Sequence, residues 1–223
     1  MSETKVVEVK PRQVSYTKPE GFINGEYYHI YNRGVEKINV FRSERDYRRF
    51  LKSLAEFNTS EPAYKINRAN RKGLNVDKEP YVEIIAYCLN PNHFHLLLKQ
   101  IVESGISEFM HKLGTGYTMY FNKKHERAGA LFQGKFKFTH IENNAQLLYV
   151  SAYVNCNSEI HGIEKAKNYR WCSFSEYLSG KRILCNKKII LDQFRDSEEY
   201  GLYAKENAAS IKERRQMEKL IIE

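Results

Sequence analysis

A chain of 223 residues has room for one domain with appendages and can bury a sizeable core. Its hydrophobic content of 42% is that of a globular protein, and no apolar run approaches the ~20 residues that span a bilayer. Residues 1–16 are polar and charged with no secretory leader, so a cytoplasmic protein with no membrane partner is expected. Thirty-six Lys and Arg against 27 Asp and Glu leave a net charge of +9, which suits a polyanionic partner because phosphate contacts release condensed counterions. The 16 Tyr and 12 Phe add faces on which unpaired bases can stack, although most aromatics in any chain are core or edge residues. Cys88, Cys156, Cys172 and Cys185 form no C-x-x-C pair and read as reduced thiols, not as a disulfide framework or a cysteine zinc site.

Residues 1–24 read as a loosely ordered arm. The β-formers of 26–32 end at Arg33-Gly34 and predict a strand and turn, with a second short extended piece at Val40-Phe41. Ser43, with Asp46 three residues on, imitates a capping box and opens a helix whose apolar side is Tyr47, Phe50, Leu51, Leu54 and Phe57. The polar stretch 58–80 is an expected loop or insertion carrying Lys65, Arg68, Arg71 and Lys72. Two apolar runs, 81–89 and 93–98, flank Asn90-Pro91-Asn92 and predict a buried antiparallel pair. A helix from Ser104 or Ser107 to about His125 presents Phe109, Leu113, Tyr117, Tyr120 and Phe121. A Gly-containing segment over 128–134 and a half-exposed strand over 135–138 follow. Asn143 or Asn144 caps a further helix over about 145–158, then a mixed stretch reaches 186 and a charged helical segment spans 196–222. The order β, α, β-β, α, β, α predicts an α+β fold, an antiparallel sheet with helices on one face.

His93 and His95 are separated by one residue on a predicted strand, so both imidazoles leave the same face. Two histidines among Phe94, Leu96, Leu97 and Leu98 are costly to bury without partners, and a shared cation satisfies both. An H-x-H alone is more often an ordinary hydrogen-bonded pair. Tyr153 and Asn157, four apart, share a helical face, and an amide oxygen beside two imidazoles suits Mg2+ or Mn2+ better than structural zinc. The Tyr153 hydroxyl would then lie within reach of whatever the cation binds; Tyr149 shares that face but has no ligand type four residues on. Taken by itself, a tyrosine with fifteen others in the chain is more often a core or surface residue than a nucleophile.

The run Leu89-Asn90-Pro91-Asn92-His93-Phe94-His95-Leu96-Leu97-Leu98 resembles the "MPNHVHLL" signature of REP-associated tyrosine transposases, insertion-sequence-200-like members of the HUH single-strand nucleases. Residues 28–34 look like that family's opening strand, and residues 120–125 with 129–136 look like its "YFNRRH…GxLFQGRF" stretch. Residues 153–157 are similar to its "YVxxN" helix, and residues 169–174 to its "YxWSSY" motif. The motifs occur in the family's order over about residues 24–180. The resemblance implies a ferredoxin-like HUH catalytic domain over 25–180 and leaves 181–223 as a helical tail. It implies Mg2+ or Mn2+ on His93, His95 and Asn157, and Tyr153 as nucleophile on single-stranded or hairpin DNA, giving a 5′-phosphotyrosine and a 3′-hydroxyl. Arg33 and the cluster Lys123, Lys124, Arg127, Lys135 and Lys137, opposed only by Glu126, are the expected DNA contacts. The chain departs from the family at Ser158, where Pro is usual, at Ile160-His161, where Arg-Ala is usual, and at Lys135, where Arg is common. A hydrolytic metal nuclease, a hairpin-binding protein without cleavage, and a single-stranded RNA binder are the competing readings. A monomer and a homodimer fit these residues equally.

Overall fold

Strands β1 (Tyr27–Arg33), β2 (Val82–Asn90), β3 (His93–Gln100) and β4 (Lys137–Ile141) form an antiparallel sheet in the order β2-β3-β1-β4. The computed structural model describes residues 21–61, 79–179 and 183–222. Most of the arm expected over 1–24 and of the insertion expected over 58–80, with Lys65, Arg68, Arg71 and Lys72, lies outside the described residues. With α1 (Glu44–Glu56) between β1 and β2 and α2 (Gly105–Lys124) between β3 and β4, the order is β-α-β-β-α-β, the ferredoxin-like arrangement. The fold is α+β, as the segment order predicts.

One face of the sheet is filled as the alternation dictates. Tyr28 and Ile30 of β1, Phe94, Leu96 and Leu98 of β3, and Ile84, Tyr87 and Leu89 of β2 are buried with Phe50 and Leu54 of α1 and Phe109, Leu113, Tyr117 and Phe121 of α2. The α1 start expected at Ser43 is present: Asp46 Oδ2 accepts from the backbone nitrogens of Arg42 and Ser43, both at 3.0 Å. Gly116 lets α2 approach α1, because a Cβ there would lie 2.6 Å from the Phe57 ring.

The expectation of helices on one face holds only for α1 and α2. The opposite face is covered too, by α3 (Asn144–Asn155) and α4 (Asn157–Ile160), with α5 (Phe174–Ser179), α6 (Lys188–Leu191) and α7 (Ser197–Ile222) packed behind them. The reason is that β2 and β3 are apolar on both sides: Ile85, Ala86, Cys88 and Leu97 need a second layer, which Leu147, Val150 and Val154 of α3 supply. Residues beyond α4 also protect an edge. Leu89 N donates to Trp171 O at 2.9 Å, Ser173 N to Tyr87 O at 2.9 Å, and Asn186 N to Ile84 O at 2.8 Å, so the outer edge of β2 is not left open.

Three local expectations are corrected. Val40 and Phe41 form no strand; both backbone nitrogens donate to Pro91 O, at 2.8 and 3.0 Å. The last strand is Lys137–Ile141, later than 135–138, because the end of β1 is already engaged by the loop, through Gln133 N to Arg33 O at 2.8 Å and a bridge between Gly34 and Phe132. The helix expected over 145–158 is interrupted at Cys156 and resumes as α4. All four cysteines are buried free thiols, as expected. No helix among the described residues is long and apolar enough to cross a membrane.

Candidate active site

On the second face the strand alternation gathers polar groups. The register places Arg33, His93 and Asn90 opposite one another, and in the next row Lys137, Tyr31, His95 and Cys88. His93 and His95 lie on the same face, as period two requires, with 9% and 6% of their surfaces exposed. Their rings are 5.1 Å apart at 87°.

The hairpin register decides what stands beside them, and a bulge sets the far end of β2. Between Ile84 and Ala86 the β2–β3 register shifts, so that Ile84 faces α1 and α2 while Ile85 and Ala86 both face α3. The parity of β2 changes there, while on the turn side of the bulge Cys88 and Asn90 pair with His95 and His93 and share their face. Asn90 is fully buried. Its Nδ2 lies 2.9 Å from His93 Nε2 and donates to Asn157 Oδ1 at 2.6 Å.

Each ligand-type imidazole is held from behind. His93 Nδ1 is 2.6 Å from Asn92 Oδ1, an acceptor, so Nδ1 carries the proton and Nε2 is the acceptor nitrogen. His95 Nδ1 lies 2.8 Å from His29 Nε2. Burial holds the His29 imidazolium down at about 4, so this ring is neutral at pH 7 and can accept from His95 Nδ1; in that tautomer His95 Nε2 is an acceptor. Buried thiols are poor competitors for the role of ligand, and desolvation pushes Cys88 well above the usual thiol range.

The helix α3 starts where Asn143 Oδ1 accepts from Gln146 N at 2.9 Å, and it carries Tyr153 onto the histidines of its own chain. The phenol ring stands edge-on to His95, with centroids 5.5 Å apart at 85°, and to His29, 5.7 Å apart at 81°. Asn157 opens α4 and is fully buried, with Oδ1 turned to Asn90 and Nδ2 lacking a hydrogen-bond partner. The break at Cys156 is small: Cys156 N donates to Ala152 O and Ile160 N to Cys156 O, at 2.9 and 3.0 Å, so the chain keeps its helical direction and Tyr153 and Asn157 still face one side. From outside, Tyr200 of α7 accepts from Asn155 Nδ2 at 2.7 Å, and Ser173 Oγ donates to Asn155 Oδ1 at 2.6 Å, which ties the helix to the sheet and the tail.

Among the described residues no three His, Cys, Asp or Glu side chains gather into a metal-holding group, so a cation here would need other donors beside the imidazoles, of which amide oxygens are one kind. The arrangement fits one. His93 Nε2 and Asn157 Oδ1, two acceptors from different elements, converge on the single NH2 group of Asn90, and the buried amide nitrogen of Asn157 is left without a hydrogen-bond partner. A family model described as "Transposase IS200 like" matches residues 25–157, more than half of the chain. The chain belongs to the IS200-like transposases. A solved structure titled as a REP-associated tyrosine transposase bound to a REP hairpin is also similar, at 14% identity and a TM-score of 0.49, over 77% of this chain and 90% of that one. No curated protein matches the sequence.

The basic residues divide into two sets. Lys124 Nζ sits 2.6 Å from buried Asp46 and from Ser43 Oγ, and Arg127 folds onto Asn122 Oδ1 and the carbonyl oxygens of Gly129 and Ala130, so both serve this transposase as internal braces. Arg33, Lys123, Lys135 and Lys137 are exposed. Arg33 and Lys137 lie in the same cross-strand rows as His93 and His95, whereas Lys123 sits at the end of α2 beyond the other face.

Asn90, Asn92, His29 and His161 were not predicted as site groups; His161, at a family departure, has its ring 4.9 Å from His93. For Asn90 a signal existed. A two-residue turn, Pro91-Asn92, makes residues 90 and 93 direct partners whose side chains share a face. His29 carried no such signal, because the register of β1 against β3 is set by contacts far apart in sequence.

Proposed function

We propose that this transposase cuts and rejoins single-stranded DNA, presented beside a hairpin, through a covalent link to Tyr153, with Mg2+ or Mn2+ held by His93, His95 and Asn157. The observation that supports this most directly is that the Tyr153 ring rests edge-on against His95 in a chain where His93 and Asn157 aim acceptors at one point. A cation bound there would supply electrophilic polarisation of the scissile phosphate. The side chains supply the rest. His29 and Asn92 orient the imidazoles, α3 fixes the phenol oxygen, and buried apolar walls limit water as a competing nucleophile.

In the proposed step the Tyr153 oxygen forms a bond to phosphorus as the bond to the 3′-oxygen breaks. The phenol loses its proton, the departing oxygen gains one, and a 5′-phosphotyrosine and a 3′-hydroxyl result. Because one ester replaces another, the reverse reaction needs no outside energy source. Tyr153 reaches the histidines of its own chain, which supports a self-sufficient monomer over a partner-supplied helix. Exposed Arg33 and Lys137 border the site and suit the DNA backbone, with Tyr31, half-buried between them, as a stacking face.

Incubation with Mn2+ and labelled hairpin DNA carrying a single-stranded flank tests the reading. The wild type should give a covalent protein–DNA band under denaturing conditions, and Tyr153→Phe should give none. Cleavage that persists in Tyr153→Phe would instead indicate a hydrolytic nuclease, and hairpin binding with no cleavage by the wild type would indicate a binding protein.

A further inference from the structure

Asn90 has no part in the mechanism above, yet its amide occupies the centre of the site. It is fully buried, and its NH2 group offers one hydrogen toward His93 Nε2 and the other toward Asn157 Oδ1, at 2.9 and 2.6 Å. These are the two atoms from different elements that the proposed cation would have to share. An amide nitrogen with two polarised hydrogens is a weak positive pole, so in the cation-free chain it neutralises the same lone pairs that a cation would. On its other side, Asn90 Oδ1 accepts among the described residues from the Cys88 thiol, at 3.6 Å, a weak donor. The amide is therefore strongly held by its nitrogen and weakly by its oxygen.

A cation entering between His93 Nε2 and Asn157 Oδ1 would be repelled by the Asn90 NH2. A half-turn of the amide about Cβ–Cγ removes that repulsion, because it exchanges nitrogen for oxygen at nearly the same place. The outgoing NH2 then faces the Cys88 sulfur, which can accept. The swap needs no backbone movement, since β2 holds Asn90 opposite His93 on both sides of the turn. The unpartnered Asn157 Nδ2 is a second mark of a site whose polar groups are not fully satisfied without an added ligand.

We infer that Asn90 is a further ligand of the cation, whose amide nitrogen holds the position in the empty site and whose Oδ1 takes the cation after a half-turn. The inference rests on the cation site proposed above. It implies a wholly neutral ligand set of two imidazoles and two amide oxygens, so the full charge of the cation remains available to a phosphate.

The test is Mn2+ binding to the DNA-free protein, read from loss of the free-ion electron paramagnetic resonance signal, in the wild type, His93→Ala, Asn90→Leu and Asn90→Asp. Thermal melting in EDTA checks that each variant folds. Asn90→Leu should weaken binding about tenfold or more, and Asn90→Asp, which offers oxygen in either orientation, should bind more tightly than the wild type. If Asn90→Leu binds as well as or better than the wild type while His93→Ala binds poorly, Asn90 is a placeholder or a bystander and the inference is overturned. If the wild type and His93→Ala bind Mn2+ equally, the cation site itself is wrong. Should Asn90→Leu fail to fold, Asn90→Asp decides, because binding no tighter than in the wild type would overturn the assignment.

Discussion

The two faces of the sheet are made by alternate residues of the same strands, yet they solve opposite problems. Toward α1 and α2, β1 and β3 present Tyr28, Ile30, Phe94, Leu96 and Leu98, and burial there is dry and apolar. Toward α3 the same strands present His29, Tyr31, His93 and His95, joined by Asn90 from β2 and closed over by Tyr153 and Asn157. One face stabilises by area removed from water, the other buries polar side chains that hydrogen-bond to one another. Neighbours one residue apart, such as His95 and Leu96, should therefore respond to mutation in unrelated ways.

That contrast can be broken or sharpened experimentally. The largest effect is expected from Tyr153→Phe, which should remove the covalent DNA adduct entirely while leaving the melting temperature near that of the wild type, because the ring and its packing are kept. On the opposite face, Leu96→Ala should cost about 2–5 kcal/mol of stability by opening a cavity under α1 and α2. Adduct formation well below its melting point should persist; loss of the adduct in a folded Leu96→Ala would show that the faces are coupled. His29→Ala comes next. Without its partner, His95 loses its orienting hydrogen bond, and Mn2+ affinity should fall about 10- to 100-fold in a titration of folded protein.

A smaller effect concerns the brace between α1 and α2. Burial alone would raise the Asp46 carboxyl, but hydrogen bonds from Lys124, the Arg42 backbone, Tyr120 and Ser43 outweigh it and hold the group at about 2. A depressed folded value means stabilisation that is complete above about pH 4 and lost as pH falls toward about 2. Melting curves across that window should be flatter for Asp46→Asn than for the wild type, and equal slopes would remove Asp46 from the account. The smallest effect is expected at Lys137. Its alanine variant should weaken single-stranded DNA binding a few-fold and lower the salt slope by about 0.7, without altering stability.

Much of this molecule was legible in the chain because the relevant distances are short. The alternation of one strand put His93 and His95 on one face, four residues of helix put Tyr153 with Asn157, and the capping pair Ser43 and Asp46 marked the start of α1. These follow from local backbone periodicity, which sequence spacing carries. Whether α3 would land on the histidines of its own chain, which strand would bring His29 behind His95, and that a bulge at Ile85 would turn Ile84 to the opposite face from Ala86 were settled only by packing. So was the use of Lys124 and Arg127 as braces. Register and docking depend on contacts between residues tens of positions apart, and only the folded chain holds those distances.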